Sequence, residues 1–299
     1  LGFLAMAIIN NPLKKLPIVA KHHRIDGLGA VLLIVATALL LLALNWGGST
    51  YAWISPEILG LVACSAIFWA AFALRLMRAA EPLVSLEVLG NRIVLTGTLS
   101  MFLLQAASVG LSVYLPVYLQ SIIGLSVSES GTAMLGLLLG TVAGATFSGQ
   151  AIPRFVHYKR IALIGVGFSI LCVGLLSMIA GHATLLQVEI LTTLIGLGMG
   201  TTFPVSTIAV QNAVDQTHLG VATGVLTFLR SLGSALGVAM LGAVALGYGM
   251  PLAAEGGVGH IEVSSALPFV MIFIAAGITL ILSLAMLSLM PEKPLRGRQ

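Results

Sequence analysis

Eight long apolar segments dominate this sequence of 299 residues. A membrane-spanning helix needs about 20 predominantly apolar residues, and eight stretches meet that requirement. They lie at roughly 27–46, 57–76, 93–115, 130–151, 160–180, 185–210, 219–247 and 266–290. Only 8% of the residues are charged, whereas soluble domains carry about 25%. Because no soluble chain of this size could bury so much apolar surface, we predict an all-α integral membrane protein.

The basic residues predict the orientation of these segments. All of the 14 Lys and Arg residues except Arg230 lie in or next to alternate connections, at 10–26, 76–92 and 152–160, or in the tail after 290. The intervening connections contain no Lys or Arg. Basic loops stay on the cytoplasmic side of a membrane, so we expect a cytoplasmic C-terminus. The net charge of +4 then reflects membrane orientation, and we expect no nucleic-acid partner.

Residue patterns typical of enzymes and metal sites are missing. All six histidines fall in predicted loops, and none has a partner at i+4 as a zinc-binding helix would. The two cysteines, Cys64 and Cys172, lie inside apolar segments. No P-loop and no GxSxG sequence is present. We therefore predict no catalytic residues, no bound metal and no enzymatic activity.

Small residues are concentrated in the sixth and seventh segments. In lipid, helices associate through close approach at small residues, so tight packing is one interpretation. The other is a surface that slides or bends, because glycine and proline leave helices deformable. The residues concerned are Gly196, Gly200 and Pro204 in the sixth segment and Gly220, Gly224, Gly233 and Gly237 in the seventh.

Arg230 lies near the middle of the seventh segment. An arginine at the centre of a membrane helix costs about 2.5–3.5 kcal/mol and almost always faces a partner or a wet cavity. One interpretation is a tether to backbone carbonyls or a neighbouring helix. The other is a cavity-lining role, in binding substrate or sensing a proton-coupled charge. Glu189, one turn inside the sixth segment, is a hypothetical ion-pair partner.

The third segment ends in YLPVYLQ at 114–120, with Gln105 deeper in the same segment. We expect Pro116 to break or kink the helix near its outer mouth. Tyr114, Tyr118 and Gln120 are candidates to line a cavity for flat apolar ligands. Anchoring of aromatic rings at the membrane surface explains the two tyrosines equally well.

Several stretches in order resemble one transporter family. They are HRIDGLGAVLL (23–33), ALNWGG (43–48), YAW (51–53), RAAEPLVSLEVL (78–89), YLPVYLQSIIG (114–124), SGQAIPRFVHYKR (148–160), AVQNAV (209–214) and GVATGVLTFLRSLGSALGVA (220–239). Together they resemble the central and C-terminal region of fourteen-span drug/proton antiporters of the EmrB/QacA type, within the major facilitator superfamily.

The resemblance implies a division of the chain. Residues 1–26 would be the end of a truncated span and a cytoplasmic basic loop, and 27–92 a two-helix linker between the halves of the transporter. Residues 93–290 would be the C-terminal six-helix bundle, followed by a cytoplasmic tail at 291–299. The expected partners are the lipid bilayer, small amphipathic substrates and the missing N-terminal half, without which the fragment is not expected to transport.

The resemblance also implies a function. It predicts a proton-coupled exporter of drugs or other amphipathic compounds, working by alternating access in the bacterial inner membrane, with the proton gradient as energy source and no cofactor. Two alternatives remain: export of one specific metabolite or siderophore on the same fold, and a truncated, non-transporting membrane fragment.

One part of the family pattern is altered. Gly149, Arg154, Lys159 and Arg160 match a cytoplasmic signature loop of the superfamily, but Pro153 stands where that loop has an aspartate. A gating salt bridge through this position is therefore excluded.

Overall fold

The computed structural model describes residues 26–48, 50–79, 86–155, 157–250 and 265–294. Within these ranges the regular structure is helical, with one short 3₁₀ helix at Gln216–His218 and no β-strand. The α-helices are α1 (Gly27–Trp46), α2 (Pro56–Arg78), α3 (Leu86–Gly90), α4 (Arg92–Ser121), α5 (Val127–Ala133), α6 (Leu135–Ala151), α7 (Lys159–Ile179), α8 (Leu185–Gly200), α9 (Thr202–Ala213), α10 (Leu219–Gly247) and α11 (Leu267–Leu289).

In the described part of the chain, eight helical segments are long and apolar enough to cross a membrane. Five crossings are single α-helices, and a sixth is α10 together with the 3₁₀ helix before it. The remaining two crossings are α5 with α6 and α8 with α9. The predicted all-α membrane class is therefore confirmed, and each predicted segment overlaps one crossing. The expected end of a truncated span in the first residues, and the last residues of the tail, lie outside the described ranges.

Polar side chains define where several helices begin. Asp26 accepts a hydrogen bond from the Gly29 N–H at the start of α1, at 3.0 Å. Asn91 accepts from two backbone N–H groups at the start of α4. Capping boxes begin α5, with Ser126 at the cap, and α8, with Thr184 at the cap. These side chains satisfy donors that the first helical turn leaves free, so local sequence sets the helix starts.

The expected break at Pro116 is wrong, while the alternative of a kink there stays a prediction. α4 runs without interruption from Arg92 to Ser121, with Pro116 inside it. The proline ring fixes φ near the helical value, and Pro116 lacks the N–H that would donate to the Ser112 carbonyl. Nearby helices help to compensate for such a loss in a membrane protein.

α4 lies at the centre of the bundle. It packs against α10, α11 and α9, while α8 packs between α6 and α7, and α7 packs against α11. Ser100 of α4 and Ser283 of α11 are fully buried and exchange hydrogen bonds, each donating to the other's carbonyl at 3.1 and 2.8 Å. Reciprocal bonds of this kind replace the hydrophobic driving force that lipid does not supply between helices.

Glycines allow two pairs of helices to touch backbone to backbone. A Cβ at Gly196 or Gly200 of α8 would collide with carbonyl groups of α6. A Cβ at Gly233 or Gly237 of α10 would collide with the Phe102 or Ala106 carbonyl of α4. These four positions lie where close approach requires a missing side chain.

Gly220 and Gly224 differ from Gly233 and Gly237 of the same helix. A Cβ at either position would have no neighbour within 4 Å. The prediction that both GxxxG pairs of this helix pack against another helix is therefore corrected for the first pair. The physical reason is rotation around the helix: Gly224 and Gly233 are nine residues apart, which is two and a half turns, so they face opposite sides.

The sixth crossing is interrupted at Thr201. α8 ends at Gly200 and α9 begins at Thr202. Pro204 has no N–H to continue the hydrogen-bond ladder to the Gly200 carbonyl. In addition, the Thr201 N–H donates to the Gly198 carbonyl, three residues back, at 3.3 Å. This tighter turn divides the crossing into two shorter helices.

α1 and α2 form a hairpin that packs mainly on itself. The Ser65 hydroxyl of α2 donates to the Ala36 carbonyl of α1 at 2.8 Å. Arg75 of α2 forms an ion pair with Asp26 at 3.2 Å, and the Asp26 side chain is only 3% exposed. α1 also packs against α10. The hairpin is therefore closed at its basic end by an ion pair that joins its two helices.

Candidate functional site

Three buried side-chain oxygens have no hydrogen-bond partner among the described residues: Gln105 Oε1 of α4, and Thr202 Oγ1 and Ser206 Oγ of α9. A buried polar atom without a partner costs about 1–3 kcal/mol, so such atoms mark places where a fold serves something other than stability. Thr202 and Ser206 are one turn apart and share a face of α9.

Helix register brings Gln105 and Thr202 to the same depth. A Cβ at Gly97 would lie 3.0 Å from the Val210 side chain, which aligns these two positions of α4 and α9. The helices are antiparallel, since α4 begins and α9 ends beside Asn91, which donates to the Ala213 carbonyl at 3.1 Å. Gln105 and Thr202 each lie eight residues from the aligned pair, about 12 Å deeper in the bundle.

Arg230 of α10 contacts Phe203, the residue that follows Thr202 in α9. Its guanidinium carbon is 5.5 Å from the centre of the Phe203 ring of α9, which is a cation–π distance. The side chain is only partly exposed. Arg230 is therefore held between helices by an aromatic face.

Of the two forms of the tether predicted for Arg230, the contact with Phe203 of α9 fits a tether to a neighbouring helix, whereas a tether to backbone carbonyls is not formed in the described part of the chain. Within the described residues its guanidinium has no hydrogen bond, and the ion pair with Glu189 is not formed. Glu189 lies on α8, which packs against α6 and α7, while Arg230 lies on α10. The Glu189 carbonyl accepts hydrogen bonds from Thr192 and Thr193 of its own helix.

Tyr114 lines a cavity of about 640 Å³ at the end of the bundle opposite the basic loops. The cavity lies between the end of α1, the connection to α2, and the outer parts of α4 and α10. Its walls are mostly apolar, with Leu41, Leu44, Val238 and Leu246 among them. The Tyr114 hydroxyl donates to the Val238 carbonyl at 3.4 Å.

Tyr118 and Gln120 do not line this cavity. Tyr118 is fully buried, donates to the Ala180 carbonyl at 2.8 Å, and packs edge-on against Phe269 and Phe273 of α11. The Gln120 amide donates to the Ser130 hydroxyl of α5 at 3.0 Å. We correct both assignments: successive turns of α4 point Tyr118 into the core and tie Gln120 to the next crossing.

The candidate signature loop contributes contacts at the basic end of the bundle. The Lys159 ammonium donates to two carbonyls at the end of α11, at 2.6 and 2.7 Å, where a cation is favoured by the helix dipole. Arg154 and Arg160 are exposed. A Cβ at Gly149 would meet nothing within 4 Å, so this glycine is not required by close packing.

The chain after α11 is held at the same end. The Tyr158 hydroxyl donates to the Lys293 carbonyl at 3.2 Å, and the Asn212 amide donates to the Pro294 carbonyl at 2.9 Å. Burial raises the pKa of Tyr158, and the nearby Glu292 carboxylate raises it further. The ends of α7, α9 and α11 are thus joined through one short segment.

Thr202, Ser206 and Phe203 were not singled out from the sequence. Thr and Ser are common in membrane helices because their hydroxyls usually bond to the preceding turn, so their presence alone gives no signal. The signal that could have identified them is their position directly after the glycines of the sixth crossing and beside Pro204.

A helical membrane bundle with a partly buried cation, unpartnered polar atoms and an apolar cavity has the features of a multi-pass membrane transporter. Comparison with known families agrees: the model of the Major Facilitator Superfamily matches residues 25–238. The chain belongs to this superfamily.

Its relatives include proteins named for drug export. It is 34% identical over 228 residues to the multidrug transporter protein MdtP of Bacillus subtilis, covering 73% of this chain and 40% of the relative. It is 30% identical over 224 residues to multidrug resistance protein 3 of Bacillus subtilis, covering 75% and 44%. It is 27% identical over 222 residues to an aspyridones efflux protein of Neocamarosporium betae, covering 74% and 39%. The matched region spans less than half the length of each of these relatives.

Proposed function

We propose that this chain is the C-terminal portion of an exporter of drugs or other amphipathic compounds. The observation that carries the proposal is the cavity of about 640 Å³ lined by Tyr114, whose walls are mostly apolar. Sites for drug-sized ligands have volumes of about 300–1,000 Å³ and a few fixed polar groups. An apolar wall with few hydrogen-bonding groups discriminates weakly between ligands, which suits broad specificity.

Alternating access is part of the proposal. Two features support it: the interruption at Thr201, and an Arg230 side chain that rests on a ring instead of in an ion pair. A cation held by an aromatic face can change partners at lower cost than one in a buried salt bridge. Arg230, Gln105, Thr202 and Ser206 would then form the polar part of the pathway.

Proton coupling, the inner-membrane location and a cytoplasmic basic end also belong to the proposal. Proton coupling rests on the resemblance to drug/proton antiporters, whose acidic coupling residues lie chiefly in the N-terminal half. The basic end is assigned to the cytoplasm by the positive-inside rule. The expected partner is an N-terminal six-helix half.

The test is dye efflux by the protein expressed from its natural reading frame in a host that lacks its own drug exporters. Ala239→Phe would fill the cavity, because Ala239 lines it. We expect this variant to reduce efflux of several unrelated cationic dyes. Met240→Phe, on the neighbouring and more exposed face of α10, is the matched control and should leave efflux unchanged. Full efflux by the Ala239 variant would refute the role of the cavity, and efflux that survives a protonophore would refute proton coupling.

A second candidate function is export of one metabolite. The relative named as an aspyridones efflux protein supports it, because its name refers to one group of compounds. Sensitivity of a deletion strain to one compound, with unchanged resistance to unrelated dyes, would favour this candidate.

A further inference from the structure

A second cavity, of about 570 Å³, lies at the basic end of the bundle and shares no lining residue with the cavity at Tyr114. It occupies the groove between α6 and α7, which both pack against α8. Phe147 of α6 and Ile164 and Phe168 of α7 form its walls, and Leu197 of α8 contributes to its floor. The floor lies deep because α7 and α8 touch through glycine at this crossing, where a Cβ at Gly165 would meet the Gly198 carbonyl at 2.7 Å.

The groove has one charged end. His157 and Arg160 line it where α7 begins. Phe168 lies eight residues further along α7, which is about 12 Å. Half of the hydrocarbon core of a bilayer is about 15 Å thick. The groove therefore extends through most of one leaflet, with the Arg160 guanidinium at the level of the lipid headgroups.

The apolar walls face outward. Phe147 is 64% exposed, Ile164 is 72% exposed and Phe168 is 40% exposed. In a membrane, these side chains contact acyl chains. An acyl chain in a groove lined by rings and branched side chains touches more protein atoms than one on a flat helix surface. It is therefore bound more strongly, because dispersion attraction grows with the number of touching atoms.

Arg160 forms no ion pair within the described residues, and residues 152–160 include no Asp or Glu. The adjacent Lys159 differs, since its ammonium donates to carbonyls at the end of α11. The planar set of donors on the Arg160 guanidinium suits a phosphate group.

We propose that this groove binds an anionic phospholipid, with one acyl chain between α6 and α7 and the phosphate on Arg160, assisted by His157. Basic sites between helices near the headgroup level bind acidic lipid headgroups in this way. The same arginine disfavours a cationic amphipathic compound, so the groove is not an additional site for the cationic dyes of the efflux assay.

The experiment uses a fluorescent reporter inside the groove. Phe168→Trp places a tryptophan in the wall, and Ile164→Trp serves as a second reporter if the first variant does not fold. The full chain is reconstituted in phosphatidylcholine nanodiscs containing a small fraction of phosphatidylglycerol with brominated acyl chains, which quench a neighbouring tryptophan. Brominated phosphatidylcholine is measured in parallel, and the signal of the parent without the reporter is subtracted.

We expect the brominated phosphatidylglycerol to bind about fivefold more tightly than brominated phosphatidylcholine, the preference that one cationic contact near a membrane surface supplies. Arg160→Gln should remove most of this preference. Arg154→Gln, the same charge change in the same loop but outside the groove, should retain it.

Equal quenching by both lipids in the protein that carries only the reporter substitution, or equal losses when Arg160→Gln and Arg154→Gln are added to it, would overturn the proposal. Replacing chloride by inorganic phosphate at constant ionic strength should not change the preference. Loss of the preference in phosphate would show that the site binds a free anion, and displacement by ethidium would show a drug site; either result overturns the lipid assignment.

Discussion

Gly237 and Gly224 belong to the same helix and the same kind of motif, yet the structure predicts opposite effects when each is replaced by alanine. At Gly237 the new Cβ would lie 2.5 Å from the Ala106 carbonyl carbon. Carbon atoms in contact are about 3.5–4.0 Å apart, so α10 would have to move about 1 Å from α4. Overpacking of this kind costs about 1–3 kcal/mol.

At Gly224 the new methyl group meets no atom within 4 Å. Alanine is about 1 kcal/mol more favourable than glycine in a helix, so this variant should be slightly more stable than the parent. Because the helix-propensity gain applies at both positions, the two variants should differ in the free energy of unfolding by the overpacking cost alone, about 1–3 kcal/mol.

The assay is equilibrium unfolding in mixed micelles by titration with sodium dodecyl sulfate, followed by far-ultraviolet circular dichroism. Intrinsic fluorescence is unsuitable, because the three tryptophans, Trp46, Trp53 and Trp69, all lie in the α1–α2 hairpin or its connection. Equal stability of the two variants would refute the reasoning, since it would mean that the backbone contact between α10 and α4 is not formed.

Three further predictions concern single side chains. Arg230→Ala should abolish dye efflux from vesicles and Arg230→Lys should restore it only in part, because an ammonium lacks the planar face of a guanidinium; full efflux by the alanine variant would contradict this. Tyr118→Phe should lower the free energy of unfolding by about 1 kcal/mol and leave efflux unchanged, whereas lost efflux at unchanged stability would return Tyr118 to the pathway. Arg75→Gln removes a charge-assisted hydrogen bond to Asp26 and should cost about 1.5 kcal/mol, measured by tryptophan fluorescence of the hairpin; an unaltered transition would show that the ion pair does not hold the hairpin together.

The membrane crossings could be predicted from the sequence because length and hydropathy are properties of whole segments. Each predicted segment overlaps one crossing within the described part of the chain. Basic connections alternate with connections that contain no Lys or Arg, so the number of crossings follows with little ambiguity. The same averages could not predict the interruption at Thr201, which depends on one proline and its neighbouring backbone.

The direction of each side chain could not be predicted in the same way. In a soluble helix the apolar face points to the core, but in lipid both faces are apolar and give no such signal. Tyr114 and Tyr118 are one turn apart with the same chemistry, yet one lines a cavity and the other is fully buried. Gly224 and Gly237 differ for the same reason.

The interruption at Thr201 has a mechanical consequence. The segment before it packs mainly against α6 and α7, while the segment after it packs against α4 and also contacts α6, α7 and α10. Because Pro204 cannot donate to the Gly200 carbonyl, a bend at this point breaks fewer backbone hydrogen bonds than a bend elsewhere in the 29-residue crossing. A covalent cross-link between the helical turns on either side of Thr201 would prevent this bending.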